Sequence, residues 1–260
     1  MCSVIIARNL HPDWPIMIAA NRDEMLDRPW QPPARHWPER ADVIAGLDEL
    51  AGGTWLGIND NGVIATVLNR KHTLGPAAGK RSRGELVLEA LDHADAADAV
   101  EALRHLEAAA YRPFNMVIAD NRTAVVLIGR GEGEIDAQPI PDGVSMITHA
   151  DLNEAGSARI GRYLPAFRTA PVPDPAAENW QSWIDILGER DGDAPTDALN
   201  IVTETGFGTS SSALMALPSV ELVDTKPIFL FAPGRPDVTE FRPVGDLRSL
   251  KDIATQQFIV

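Results

Sequence analysis

Short apolar runs separated by turn-forming residues dominate the first 70 positions. Runs rich in Val and Ile cover residues 2–7 and 16–20, and a turn-like His-Pro-Asp-Trp-Pro separates them. Similar runs cover residues 54–58 and 63–68, on either side of Asn-Asp-Asn-Gly, where Asn and Gly tolerate positive φ. Because short runs of this kind between turn signals are typical of strands, the pattern predicts two β-hairpins.

Residues 82–110 change to a helical pattern. Ser82, followed by Glu85 three residues later, predicts a capping box, and apolar residues recur at helical spacing over 86–91. Asp95 is the candidate cap of a second helix, with apolar positions on one face up to residue 106. We therefore expect a pair of helices here.

The rest of the chain returns to short strands with further helical segments. The pattern predicts strands over 114–119, 124–129, 144–148, 213–217, 228–231 and 238–242, helices over 179–187 and 196–202, and a Pro-rich surface loop over 170–176. Antiparallel hairpins with segregated helices indicate layered α+β packing rather than a doubly wound parallel sheet. No stretch resembles an interdomain linker, so we expect residues 1–260 to form a single domain.

Composition and charge narrow the function classes. The formal net charge of −14 argues against a nucleic-acid groove or a polybasic membrane contact. No run reaches the roughly 20 apolar residues of a membrane span, and no signal peptide is seen at the N-terminus. One cysteine excludes an internal disulfide, and the six histidines show no metal-binding spacing. We expect a cytoplasmic protein without a structural metal that binds a small-molecule substrate or ligand.

Cys2 is the most informative residue for chemistry. Methionine aminopeptidases remove Met1 when the second residue is small, which would leave a thiol and a free α-amine on Cys2. An α-amine titrates near pH 7.7–8.0 and can accept the thiol proton, which is how N-terminal nucleophiles are activated. The structural alternative is a small apolar residue that opens a buried strand.

Two further segments could complete such a site. Asn21-Arg22-Asp23-Glu24 directly follows the strand expected to pair with the Cys2 strand, so Arg22 could lower the pKa of the thiol and Asp23 could accept a hydrogen bond from the α-amine. Asn69 ends a predicted strand and could stabilise an oxyanion, while the glycines at 52 and 53 could permit close backbone approach. The alternatives are a charged turn, turn glycines and core packing.

These segments together resemble the NRDE family, also called the transport-and-Golgi-organisation type 2 proteins. The matching segments, in the family's order, are the Met-Cys start, Ala-Asn-Arg-Asp-Glu at 20–24, Arg-Pro at 28–29, Gly-Gly-Thr-Trp-Leu-Gly at 52–57, Leu-Asn-Arg at 68–70, Ser-Arg-Gly-Glu-Leu at 82–86, Phe-Asn at 114–115 and Gly-Thr at 208–209. The resemblance covers nearly the whole chain.

The resemblance implies a fold and a site. It places the chain close to the choloylglycine and penicillin V amidases, which implies a four-layer αββα sandwich of the N-terminal-nucleophile (Ntn) hydrolase type. In those amidases a Cys, an Arg, an Asp and an Asn form the site, which by resemblance correspond to Cys2, Arg22, Asp23 and Asn69. Residues expected to line a substrate pocket are Asn21, Trp55, Arg70 and His149. A lone histidine such as His149 is more often structural.

Three departures from the amidases affect the expected chemistry. Arg22 and Asp23 are adjacent, and neighbours on a regular strand point to opposite faces, so we expect only one to reach the thiol. Ser210 stands where the family usually has an arginine. The segment Thr148-His149 stands where a second asparagine is expected.

Two functions therefore remain open. The first is an amidohydrolase that uses Cys2 as nucleophile and its own α-amine as base, acts on an amide or acyl substrate and needs no cofactor. The second is a non-catalytic protein that binds and carries haem, acyl-CoA or a lipid in the same pocket, as the resemblance also implies. Without a CxxCH segment, haem would be held non-covalently.

Overall fold

Residues 2–249 and 251–252 are described by the structure, which is a computed structural model. The described strands are β1 (Ser3–Arg8), β2 (Ile16–Met25), β3 (Trp30–Ala34), β4 (Val43–Asp48), β5 (Leu56–Asn59), β6 (Ile64–Asn69), β7 (Phe114–Ala119), β8 (Ala124–Gly129), β9 (Asp136–Pro139), β10 (Gly143–Ile147), β11 (Phe207–Leu217), β12 (Ile228–Ala232) and β13 (Arg242–Pro243). The described α-helices are α1 (Arg83–Leu91), α2 (Ala96–Arg104), α3 (Ala158–Thr169) and α4 (Gln181–Leu187).

These strands form two antiparallel sheets. One has the order β10-β1-β2-β11-β12-β13, and the other runs in sequence from β3 to β9. Apolar residues line both faces of the central strands because both faces of each sheet are covered. The inner faces pack on each other through residues such as Ile6, Ile18, Ile58 and Val117.

Helices cover the outer face of each sheet. Helices α1 and α2 pack on the seven-stranded sheet through Leu86, Leu91 and Leu103. Helices α3 and α4 pack on the six-stranded sheet through Tyr163 and Trp183. The layers are therefore helix, sheet, sheet, helix, which confirms the predicted αββα sandwich of the α+β class. No helix among the residues described here is long and apolar enough to span a membrane.

Most of the predicted elements are present. The two N-terminal hairpins, the paired helices and the strands at 114–119 and 124–129 are confirmed. Asp95 caps α2 by accepting from the backbone N–H of Asp98 at 2.8 Å. Ser82 caps α1 by accepting from the N–H of Gly84, but the carboxylate of Glu85 binds Arg81 instead of completing a capping box.

Three predictions need correction. The strand expected over 16–20 continues to Met25, because β11 pairs with it along its whole length, so the charged tetrapeptide lies within β2 and not after it. The segment 196–202 forms no α-helix: a short 3-10 turn covers Pro195–Asp197, and Val202 bridges to Gly208 at the start of β11. Only Arg242–Pro243 forms the last strand, because residues 235–239 turn back through a bond from the N–H of Thr239 to the carbonyl of Arg235.

Candidate functional site

Cys2 lies at the entrance to a central strand of the six-stranded sheet. It directly precedes β1, which is hydrogen-bonded to β2 on one side and β10 on the other. The thiol is partly buried and lies 3.8 Å from the carbonyl oxygen of Asp23, to which it donates. It faces a cleft of about 380 Å³ that is also lined by Arg22, Asp23, Trp55 and Asn69. The structure thus brings the four expected catalytic residues to one cleft.

Arg22 shares the inner sheet face with Cys2. Its guanidinium lies 4.3 Å from the centre of the Trp55 ring and donates to Ser210 Oγ at 3.0 Å. Trp55 in turn packs edge-on against Trp30, with ring centres 5.7 Å apart. Arg22 is held between an aromatic wall and a hydroxyl, and only 6% of its surface is exposed. A fixed guanidinium here places positive charge on the thiol's side of the sheet.

Asp23 points to the opposite face of β2, as expected for a neighbour on a strand. Its carboxylate accepts from Thr209 Oγ1 at 2.7 Å and pairs with Arg159 at 3.2 Å. Arg159 also donates to Ser3 Oγ at 2.9 Å. Only Arg22 therefore approaches the thiol with its side chain, while the Asp23 carboxylate lies on the helix side of the residue that follows Cys2.

The thiol is not activated by its charged neighbours alone. Burial raises the pKa of the Cys2 thiol above its usual range, and the negative charge of Asp23 adds to that rise. Arg22 lowers the pKa, as expected from the sequence, but it does not overcome the effect of burial. At neutral pH the thiol is protonated, so a nucleophilic role requires a base.

The second hairpin and the segment that precedes it both contribute residues to the cleft. Asn69 is the last residue of β6, as predicted, and no other described residue makes a hydrogen bond with its side chain. Its amide is therefore available to a ligand. The glycine preceding Thr54 permits the expected close approach, because a Cβ at Gly53 would lie 2.7 Å from the carbonyl carbon of Gly84 at the start of α1.

Three of the residues expected in a substrate pocket lie outside the lining of the large cleft. The amide of Asn21 donates to the carbonyls of Leu187 and Leu199, so it anchors β2 to the helical layer. Arg70 binds Asp151 at 2.6 Å. The Nδ1 atom of His149 is buried and has no hydrogen-bond partner among the described residues. Burial, followed by the charge of Arg159, lowers the pKa of His149 to about 4, so the ring is neutral at pH 7.

A group of basic side chains that sequence reasoning missed forms one wall of the cleft. We call Lys80, Arg83 and Arg112 the basic wall. Burial and the charge of Arg112 lower the pKa of Arg83 to about 10. Within the described ranges, no carboxylate pairs with these three side chains, which instead donate to backbone carbonyls and a threonine hydroxyl, such as Ala109 O and Thr73 Oγ1. The run Lys-Arg-Ser-Arg at 80–83, in a chain of net charge −14, is the signal that could have indicated it.

No metal centre is found in the described part of the chain. None of its His, Cys, Asp and Glu side chains form a group of three or more that could hold a metal ion. The chemistry available in the cleft is that of a thiol, several guanidinium groups, an amide and the carboxylates of Glu24 and Asp48, whereas the Asp23 carboxylate is buried on the other face of β2.

Residues 1–162 match the family model described as Transport and Golgi organisation 2. The chain belongs to this family. Among Transport and Golgi organisation 2 homologues, the human protein is 33% identical over 147 residues, which is 53% of this chain and 51% of the relative. The Bos taurus homologue is 38% identical over 114 residues, which is 40% of this chain and 38% of the relative. The match thus spans about half or less of these relatives' length.

Solved structures place this Transport and Golgi organisation 2 family member in a wider fold group. An N-acylethanolamine-hydrolyzing acid amidase orthologue from Caenorhabditis elegans superposes with a TM-score of 0.56 at 16% identity, over 82% of this chain and 92% of that chain. A variant of conjugated bile acid hydrolase from Clostridium perfringens gives 0.50 at 11% identity, over 96% and 98%. At this identity the likeness shows the fold, which is of the Ntn-hydrolase type.

Proposed function

We propose that the protein is an N-terminal cysteine amidohydrolase that acts on an amide or a related acyl substrate. The observation that carries the proposal is the position of Cys2 at a cleft that Arg22, Asp23 and Asn69 also line. The raised pKa of the Cys2 thiol adds a requirement, because a protonated thiol needs a base. Removal of Met1 would supply that base as the α-amine of the same residue.

In the proposed first half-reaction the α-amine of Cys2 accepts the thiol proton as sulfur forms a bond to the substrate carbonyl carbon. The negative charge that develops on the carbonyl oxygen is bound by the side-chain amide of Asn69. The carbon–nitrogen bond then breaks, and the leaving amine takes the proton from the ammonium group. A thioester between Cys2 and the acyl group remains.

In the second half-reaction water adds to the thioester carbon and gives a proton to the α-amine. The carbon–sulfur bond breaks, the carboxylic acid leaves and the thiolate regains its proton. Asp23 holds the protonated α-amine through a charge-assisted hydrogen bond, while Arg22 stabilises the thiolate on the other side of the strand.

The test is a panel of acyl-amide and thioester substrates, with wild type compared with Cys2→Ala. Mass spectrometry first confirms that Met1 has been removed. Hydrolysis by wild type and none by Cys2→Ala is the expected result. The matched control carries an uncleaved N-terminal extension, which keeps the thiol but blocks the α-amine, and we expect it to be inactive as well. Equal rates for wild type and Cys2→Ala would disprove the proposal.

A second candidate function is supported by the basic wall. Three cations without carboxylate partners in the described part of a strongly acidic chain favour an anionic ligand, and both the propionates of haem and the phosphates of acyl-CoA are anions. Under this alternative the cleft binds and carries haem or acyl-CoA without turnover. Titration with haemin and with acyl-CoA tests it. Saturable binding by wild type that falls at least tenfold in Arg83→Met, but not in the surface control Arg104→Met, would support it, and no saturation with either ligand would exclude it.

A further inference from the structure

The negative charge of Asp23 lies deep inside the protein, next to the strand that begins after Cys2. Its side chain is 0% exposed, and that of its ion-pair partner Arg159 is 1% exposed. The two residues are 136 positions apart in sequence and are brought together by the start of α3, which packs on β10, the neighbour of β1. A buried carboxylate must be compensated, because leaving one charge of such a pair alone is strongly destabilising.

Arg159 contacts both strands that form the site. The same Nη1 atom donates to Asp23 Oδ2 on β2 and to Ser3 Oγ on β1, and Ser3 is bonded to Cys2 through the main chain. The Nη2 atom donates to the carbonyl of Thr196, which fixes the guanidinium from a third direction. Because its three hydrogen-bond partners come from separate segments, the guanidinium of Arg159 is held in one position.

Ser210, which stands where the family usually has an arginine, does not supply the positive charge that pairs with Asp23. Ser210 is small and neutral, and its hydroxyl accepts from Arg22 on the inner face of the sheet. On the helix side of β2, the cation paired with Asp23 comes from the second residue of α3. The two arginines therefore divide the site between them, with Arg22 on the thiol's face and Arg159 on the carboxylate's face.

We propose that Arg159 is a positioning residue, which balances the charge of Asp23 beside Cys2 and so sets the reactivity of the thiol and its α-amine. This role rests on the proposed use of Cys2 as nucleophile. Loss of the guanidinium removes one positive charge near Cys2, which disfavours the thiolate and raises the pH at which Cys2 becomes reactive. Removal of both charges restores the balance.

The test measures the rate of Cys2 alkylation by iodoacetamide between pH 6 and 11.5, followed by mass spectrometry. Cys2 is the one cysteine in the sequence, so an adduct that peptide mapping places on a thiol reports on it, and no substrate is needed. The variants are Arg159→Met, Arg159→Lys and the double variant Arg159→Met with Asp23→Asn. Arg162→Met is the matched control on the same helix, because Arg162 is largely exposed and 4.0 Å from Asp193.

In Arg159→Met we expect the alkylation midpoint to rise by about one pH unit, which slows the reaction about tenfold at pH 7. Arg159→Lys and the double variant return close to the wild-type midpoint, and Arg162→Met does not move it. An unchanged midpoint in Arg159→Met, or an equal shift in the double variant, overturns the inference, since a merely structural role would not be rescued by Asp23→Asn.

Should Arg159→Met fail to fold, Asp23→Asn alone carries the test. It removes one negative charge near Cys2 and is expected to lower the midpoint by about one unit, and adding Arg159→Met is expected to reverse this. Identical midpoints for Asp23→Asn and the double variant overturn the inference. Failure of the hydrolase proposal is separate, because it appears as absent turnover while the alkylation profiles remain interpretable.

Discussion

The contact between Gly53 and the start of α1 allows a quantitative prediction. A Cβ at Gly53 would lie 2.7 Å from the carbonyl carbon of Gly84 and 3.0 Å from its oxygen. Carbon atoms in contact normally stay about 3.5–4.0 Å apart, so Gly53→Ala creates an overlap of roughly 0.8 Å or more. Both atoms belong to backbone, so no side-chain rotation can relieve the overlap.

We expect Gly53→Ala to lower the free energy of unfolding by about 1–2 kcal/mol. Overpacking of a close backbone contact costs about 1–3 kcal/mol, and the reduced freedom of the unfolded chain returns up to about 1 kcal/mol. Gly84→Ala should behave similarly despite the helix preference of alanine, because its Cβ would lie 2.9 Å from the carbonyl oxygen of Thr54. The double variant should cost less than the sum, since both methyl groups push the same two segments apart.

Urea denaturation followed by tryptophan fluorescence measures these changes. Gly245→Ala is the matched control, because among the described residues, apart from its two chain neighbours, no atom lies within 4 Å of the position its added methyl group would take, and its φ is not positive, so we expect no loss of stability. A loss below about 0.5 kcal/mol in both Gly53→Ala and Gly84→Ala would refute the reasoning that these glycines exist to seat α1 against the cleft wall.

Three further predictions concern the site and its support. The pKa of His149 is about 4 in the folded protein and near 6.5 when unfolded, so acidification from pH 7 to 5 protonates the unfolded state first and lowers the free energy of unfolding by about 1 kcal/mol, after allowance for partial exposure. Denaturation of His149→Gln at both pH values should lack this loss, and an equal loss in the variant would contradict the assignment. Asn69→Ala should reduce kcat for any substrate found about 100-fold with little change in KM, and unchanged kcat in steady-state assays would remove Asn69 from the mechanism. Asn59→Ala should lower the free energy of unfolding in urea by about 3 kcal/mol, because the side-chain amide donates to the carbonyls of Leu91 and His93 and accepts from the N–H of Val63. A loss below about 1 kcal/mol would show that water replaces these bonds.

Local patterns determined which parts of the fold could be predicted. The hairpin of β7 and β8 was predicted to the residue because an apolar run, a turn and a second apolar run are all local signals. No helix was predicted where α3 lies, since Pro165 and the polar side chains of that segment hide its apolar face, which only packing on the sheet reveals. The predicted second strand ended too early, before the charged segment at residues 21–24. The partners of these residues come from β11 and α3, which the local pattern does not show.

The candidate site was predicted as far as single segments allow. Cys2, Arg22, Asp23 and Asn69 could be named from the sequence, and alternation along a strand correctly separated the faces of Arg22 and Asp23. Arg159 could not be named, because its pairing with Asp23 spans 136 positions and depends on how α3 packs on the sheet. Long-range ion pairs of this kind carry no local signal.

The position of β1 between two neighbours has a consequence for how the protein matures. Its second neighbour, β10, ends at Ile147, so the ribosome adds about 140 residues after β1 before the strand can be enclosed on both sides. At bacterial or eukaryotic elongation speeds this interval lasts roughly 7 to 30 seconds. Under the proposed function, an aminopeptidase would act on Met1 while β1 still has a free edge, and strong overexpression is then expected to yield a mixture of trimmed and untrimmed molecules.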